Sequence, residues 1–115
     1  MYPKIIQEHF AHPKNVGRMK NPTVTGSYSL PDLAKAIFYF LIEDGVVKDI
    51  KYQIAGCPFA IAVCSILSEY AKEKNVKELK DITLEKLEQF FEIPKEKEEC
   101  INLSLKAFLD GVKSA

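Results

Sequence analysis

The sequence carries no net charge. Sixteen Lys and Arg residues are cancelled by sixteen Asp and Glu, so no overall field draws the chain to nucleic acid or to an anionic membrane. It has no long apolar run either. The longest mainly apolar stretch, Ala55 to Leu67, is too short to cross a bilayer. Met1-Tyr2-Pro3-Lys4 lacks the apolar core of a secretion signal, and a cytoplasmic location is expected. Cysteine is scarce: three residues, an odd number, spaced 57 to 64 and 64 to 100. No CxxC pair occurs, which excludes a zinc ribbon and a thioredoxin motif. In a reducing compartment these residues are free thiols, ligands or redox groups. The chain also lacks a glycine-rich phosphate loop, a Ser-His-Asp pattern and a visible general acid–base pair. Nucleotide binding and hydrolysis are therefore not indicated, and a non-enzymatic role is expected. No internal repeat, linker or low-complexity segment interrupts the 115 residues, which are expected to form one domain, residues 1–115. Only domains below about 40 residues usually need staples to hold a core. Apolar residues at 47% and charged residues at 28% are ordinary for a soluble globular protein.

The periodicity of the chain changes twice, from helical to alternating and back. Residues 2–11 place Ile5, Ile6, His9 and Phe10 at helical spacing. His12-Pro13 breaks that helix, and Asn15 and Gly17 suit a turn. Residues 23–30 alternate as a first strand, with Gly26 as a bulge candidate. Ala36 to Ile42 is rich in aromatic and β-branched residues and reads as a second strand. Asp44-Gly45 signals a hairpin into a third strand, Val46 to Ile54. The remainder is helical: Pro58 to Lys74, a segment capped by Thr83 and ending near Glu92, and a last helix from about Lys95 to Val112. Ile82 can staple to Leu87 across the Thr83 cap. The fold class is α+β: a three-stranded antiparallel sheet packed against a short N-terminal helix and C-terminal helices.

The second change of period, from strand to helix, falls at Ala55-Gly56-Cys57-Pro58-Phe59-Ala60. Pro is tolerated at the first helical position, so Pro58 reads as that position and Cys57 as the N-cap. A thiol there faces unpaired backbone N–H groups and the positive end of the helix dipole, which favour thiolate. Cys100 lies at the start of the last helix, off the centre of its stripe of Ile101, Leu105, Phe108, Leu109 and Val112. Convergence of the two helix starts would make an electropositive pocket bearing two thiols. The alternative is that both are small buried hydrophobes. Cys64 falls in the apolar stripe between Ala60 and Leu67 and reads as core. His9 and His12 read as solvated or turn-stabilising, because no Cys, Asp or Glu stands at zinc spacing from them. Lys95-Glu96-Lys97-Glu98-Glu99 reads as a solvated first helical turn.

The phrase Tyr2-Pro3-Lys4-Ile5-Ile6-Gln7-Glu8-His9-Phe10, followed by Pro13-Lys14-Asn15-Val16-Gly17, resembles the opening of the iron–sulfur cluster assembly scaffolds of the NifU N-terminal (IscU) type. Gly56-Cys57 with Ala60-Ile61-Ala62 resembles that family's second cysteine motif, and Glu99-Cys100 its third. The resemblance covers essentially the whole chain. It implies a solvent-facing site that holds an iron–sulfur cluster or iron, or alternatively zinc. It makes Cys57 and Cys100 metal ligands and Cys100 a sulfur acceptor from a cysteine desulfurase. It also implies other cluster-assembly proteins and a chaperone as partners, the chaperone segment being only partly kept at Ile93-Pro94-Lys95-Glu96-Lys97.

The sequence departs from the family at the remaining ligands. Pro31-Asp32-Leu33-Ala34-Lys35 stands where the family has Pro-x-Cys-Gly-Asp, so Leu33 replaces a cysteine and Lys35 an aspartate. Glu99 replaces a histidine. Three roles follow. The first is an atypical scaffold on Cys57 and Cys100, with Asp32 or Glu99 as oxygen ligands. The second is a degenerate relative acting as a protein-interaction module, with Lys35 paired to a thiolate. The third is thiol chemistry without metal, a sulfur relay or redox sensing through Cys57 and Cys100, in which that lysine lowers a thiol pKa.

Overall fold

The structure is a computed structural model that describes residues 2–115. Helix α1 spans Lys4–Ala11, followed by strands β1 (Val24–Leu30), β2 (Ala34–Glu43) and β3 (Val46–Ala55). Four helices follow: α2 (Pro58–Ala71), α3 (Val76–Leu79), α4 (Leu84–Leu87) and α5 (Glu98–Ser114), the last entered through a 3-10 turn at Lys95–Lys97. The strands form one antiparallel sheet in the order β1-β2-β3. Asp44 and Gly45 both take positive φ, 52° and 78°, as a two-residue hairpin turn that follows the strand twist requires.

Alternation along β2 and β3 sends Ala36, Phe38, Phe40, Ile50 and Tyr52 to one face, all fully buried. Helices α2 and α5 cover that face. Phe108 of α5 meets Phe38 edge-on, with centroids 5.4 Å apart and planes at 83°, a favoured aromatic geometry. Ten of the fourteen residues of α2 are buried, against eight of seventeen in α5. The α2 sequence, apolar nearly all round in its first half, matches this central position.

Gly26 is not a bulge. Its register with Phe38 is unbroken. Instead α5 crosses β1 so closely that a Cβ on Gly26 would collide with the backbone of Ala107 and Gly111. The bulge lies in the other ladder, where Leu41 pairs with Asp49 and Ile42 with Val47, leaving Lys48 over. Both sheet edges are managed. Ser27 N–H of β1 donates to Asp110 Oδ2 of α5 at 3.0 Å. Along β3, Gly17 N–H donates to Tyr52 O at 2.9 Å and Tyr52 N–H to Asn15 O at 3.3 Å. Covered edges do not template pairing with other chains.

The helical segment expected from Thr83 to Glu92 is shorter than its pattern suggests. Thr83 Oγ1 accepts from Lys86 N–H at 3.2 Å as the cap of α4, but the helix stops at Leu87. Ile82 and Leu87, on either side of the cap, are both buried. Helix α2 ends at Ala71 rather than Lys74, because the chain turns back to β3: Val47 N–H donates to Lys74 O and Glu73 N–H to Val47 O. Glu73 takes a positive φ of 65° to make that turn.

Candidate functional site

Helices α2 and α5 bring their first turns together at one end of the molecule. Ser104 Oγ of α5 donates to Ala60 O of α2 at 2.7 Å. A Cβ on Gly56 would stand 3.5 Å from Leu103 Cδ2. These contacts set Cys57 beside Cys100. Cys57 is the N-cap of α2, with extended backbone (φ −75°, ψ 164°), and Pro58 is the first helical residue. The Cys57 side chain makes no capping hydrogen bond to its own helix. It lies close enough to the Cys100 thiol to influence its ionisation. Both thiols are free and half-buried.

The electrostatics differ from those expected of two helix starts. The Cys100 thiol is pushed up from 9.0 to about 11. Burial is the main cause, followed by its hydrogen bond with Cys57 and repulsion from a Cys57 thiolate. Lys97 opposes the rise and Glu99 adds to it. Half-burial and a second thiol thus outweigh the nearby cation. That cation is Lys97, not Lys35. Lys35 sits in β2 opposite Ala55 and is exposed; alternation places it on the sheet face away from the buried Ala36.

Leu33 is 76% exposed. It belongs to the Pro31-Asp32-Leu33 turn, in which Leu33 N–H donates to Leu30 O at 2.9 Å and Asp32 has φ 63°. Leu33, Lys35 and Ala55 line one shallow depression beside the start of α2. Glu99 and Asp32 are exposed. Neither joins the thiols in a donor set: among the described residues no group of three or more His, Cys, Asp or Glu side chains could hold a metal ion.

Cys64 is fully buried, as its place in the stripe implies, and burial pushes its thiol up to about 12, opposed by the neighbouring Ser104 hydroxyl. His9 is not solvated. Its Nδ1 shares a 2.7 Å hydrogen bond with Ser65 Oγ, its Nε2 lies 4.0 Å from Glu69 Oε1, and its side chain is 13% exposed. Ser65 Oγ also accepts from Lys14 N–H at 2.8 Å, and Asn15 Nδ2 donates to Ser68 Oγ at 3.0 Å. Ser65 and Ser68 are fully buried. The set fastens α1 and the following loop to α2, beneath an open cleft of about 410 Å³ lined by Glu8, His9, His12, Lys14 and Glu69. Sequence spacing cannot reveal this clasp, since its members lie more than fifty positions apart. The one available signal is two serines, Ser65 and Ser68, in an otherwise apolar helix.

Residues 1–114 match the family described as the NifU-like N terminal domain. The chain belongs to this family. Its relatives include the iron–sulfur cluster assembly scaffold protein IscU 1 of Archaeoglobus fulgidus, 34% identical over 109 residues, which cover 93% of this chain and 71% of the relative. The scaffold protein IscU of Aquifex aeolicus is 28% identical over 116 residues, covering 97% and 74%. A nitrogen-fixing NifU-like protein (N-terminal) from Brucella abortus superposes with a TM-score of 0.79 at 18% identity, over 97% of this chain and 92% of that one. At that identity the likeness speaks for the fold alone. No helix among the described residues is long and apolar enough to cross a membrane.

Proposed function

We propose that this NifU-like chain takes part in iron–sulfur cluster assembly as a scaffold-like protein with an incomplete ligand set. The observation that carries the reading is the convergence of Cys57 and Cys100 from the starts of α2 and α5 at a half-exposed end of the molecule. Thiolates are the soft anionic ligands that iron–sulfur clusters take, and a cluster of two or four irons is usually held by four of them. This chain offers two at the site. Leu33 and Lys35 occupy the adjoining turn and strand, and among the described residues no third donor joins the pair. The donor set therefore does not fit a cluster, or a four-coordinate zinc ion, held by this chain alone. Further ligands would come from a partner, and a cysteine desulfurase and other assembly proteins fit that place. Cys100 is the sulfur-acceptor candidate, and a cytoplasmic site of action and a chaperone contact around Ile93–Lys97 belong to the same proposal.

The test is anaerobic reconstitution with iron, a cysteine desulfurase and cysteine, read by visible absorbance and elemental analysis. Iron and sulfide retained in the presence of the desulfurase, and lost in Cys57→Ala and Cys100→Ala, support the reading. A protein that takes up neither, with or without the partner, refutes it.

A second reading, an interaction module that no longer handles clusters, is favoured by one observation. Leu33, where the family has a ligand, is the most exposed large apolar residue among the described residues. Binding of a desulfurase that survives Cys57→Ala/Cys100→Ala but is lost in Leu33→Asp would support it.

A further inference from the structure

The two thiols have more in common than an unfinished metal site. Each stands at the start of a helix whose position is fixed a turn further on: Ala60 follows Cys57 by three residues and Ser104 follows Cys100 by four, and these two are joined by the 2.7 Å Ser104–Ala60 hydrogen bond. Gly56 abuts Leu103 in the same interface. The two helix starts are therefore held side by side. The Cys57 side chain is not engaged as a helix cap, so nothing holds it away from Cys100. Both side chains pack against the core on one side and remain half-exposed on the other, reachable by a small solute. Cys64 is fully buried and cannot compete for either.

We infer that Cys57 and Cys100 form a reversible disulfide, making the chain a dithiol/disulfide couple that exchanges with small-molecule disulfides of the glutathione type. The exchange proceeds in two displacements. A thiolate of one cysteine attacks a sulfur of oxidised glutathione, forming a mixed disulfide and expelling one glutathione thiolate. The thiolate of the second cysteine then attacks the protein-side sulfur of that mixed disulfide. This forms the Cys57–Cys100 bond and expels the second glutathione thiolate. The protein dithiol is oxidised by two electrons, oxidised glutathione is reduced to two thiols, and the two cysteine protons end on those thiols.

The consequence for the proposed scaffold role, and only the consequence, rests on that role: the oxidised chain presents no thiolate to iron or to a sulfur donor. Formation of the bond needs no metal, so it is tested separately.

The intact chain is equilibrated in buffers of graded reduced-to-oxidised glutathione ratio. It is then quenched in acid, treated with a thiol-blocking reagent after denaturation, and read by mass spectrometry without reduction. The expected result is a single transition to a species that has lost two hydrogens and carries one blocked thiol, with peptide mapping linking Cys57 to Cys100 and placing the block on Cys64. Cys57→Ser and Cys100→Ser should instead stop at one bound glutathione on the remaining site cysteine. Three blockable thiols at every ratio would overturn the inference, as would a linkage that includes Cys64, or glutathione accumulating on both site cysteines without a bond between them. The wild-type readout stands whether or not a variant folds. Failure of the bond leaves the scaffold reading intact, and failure of cluster reconstitution leaves the couple intact.

Discussion

Helix α2 presents polar side chains to its neighbours in two places, and the two are built on opposite terms. Along its middle, Ser65 and Ser68 are fully buried, and they bind His9, Lys14 and Asn15 of the N-terminal segment through hydrogen bonds of 2.7–3.0 Å. At its start, the Cys57 side chain makes no capping bond to its own helix and shares a half-exposed position with Cys100. The first place resembles a Ser-His-acid arrangement, yet its hydroxyl is sealed and already engaged with a backbone N–H, so it serves as a fastening. The second holds fewer bonds and keeps its reactive atoms within reach of solutes. Stability is concentrated where polar groups are buried and paired, and chemistry where they are left open.

This contrast predicts a separation of phenotypes. Ser65→Ala should have the largest effect on folding, about 2–4 kcal/mol, because it leaves the Lys14 N–H and the inner nitrogen of His9 without partners in a buried setting. Urea unfolding measures it, and alkylation of Cys57 and Cys100 in the folded protein should be unchanged. His9→Ala should cost less, about 1–2 kcal/mol, since it removes one bond and leaves one hydroxyl with its backbone donor still in place. If either variant altered thiol reactivity as strongly as stability, the two regions would not be independent.

High pH should act on the core as a whole. Burial raises Cys64 from 9.0 and Tyr52 from 10.0, each to about 12. The Tyr52 hydroxyl is buried, and Ser65 approaches it without giving it a hydrogen bond of good geometry. A raised pKa means that the folded state holds these protons more tightly than the unfolded chain. Their contribution is complete below about pH 9 and is lost as pH climbs toward 12. Urea midpoints should be flat near neutrality and fall steadily above pH 9, and Cys64→Ala should reduce that slope.

The smallest effect on stability is expected at the open end. Cys57→Ser should change the unfolding free energy by less than about 1 kcal/mol, as for other partly exposed sites away from a tight core. Its signature is chemical. Two of the causes that raise Cys100 come from Cys57, so the alkylation profile of Cys100 should move to lower pH than in the wild type. An unmoved profile would mean that the thiols do not interact.

Much of this plan is legible in the sequence, for local reasons. The Asp44-Gly45 turn, the Pro58 helix start and the inward place of Cys64 depend on residues near them in the chain, and each stands where its local signal puts it. What is not legible depends on distant residues. Gly26 looks like a bulge because its reason for being glycine is Gly111, met across the α5–β1 crossing. Helices α3 and α4 have four residues each, too few to show a helical period. Lys35 looks like a partner for a thiolate because one-dimensional proximity to a motif says nothing of which sheet face it takes, and Lys97 holds that place instead. The juxtaposition of Cys57 and Cys100 follows from the family resemblance; spacing alone leaves it open.

The central claim is that the open end is half of a ligand set, its other half replaced at Leu33 and Lys35. The most direct measurement compares wild type with Leu33→Cys/Lys35→Asp after anaerobic reconstitution of each chain alone with iron and sulfide, by iron and sulfide content per chain after desalting. The account predicts that wild type alone retains neither in stoichiometric amount and that the double variant retains both. A wild-type chain that alone keeps a stoichiometric cluster through desalting would contradict it.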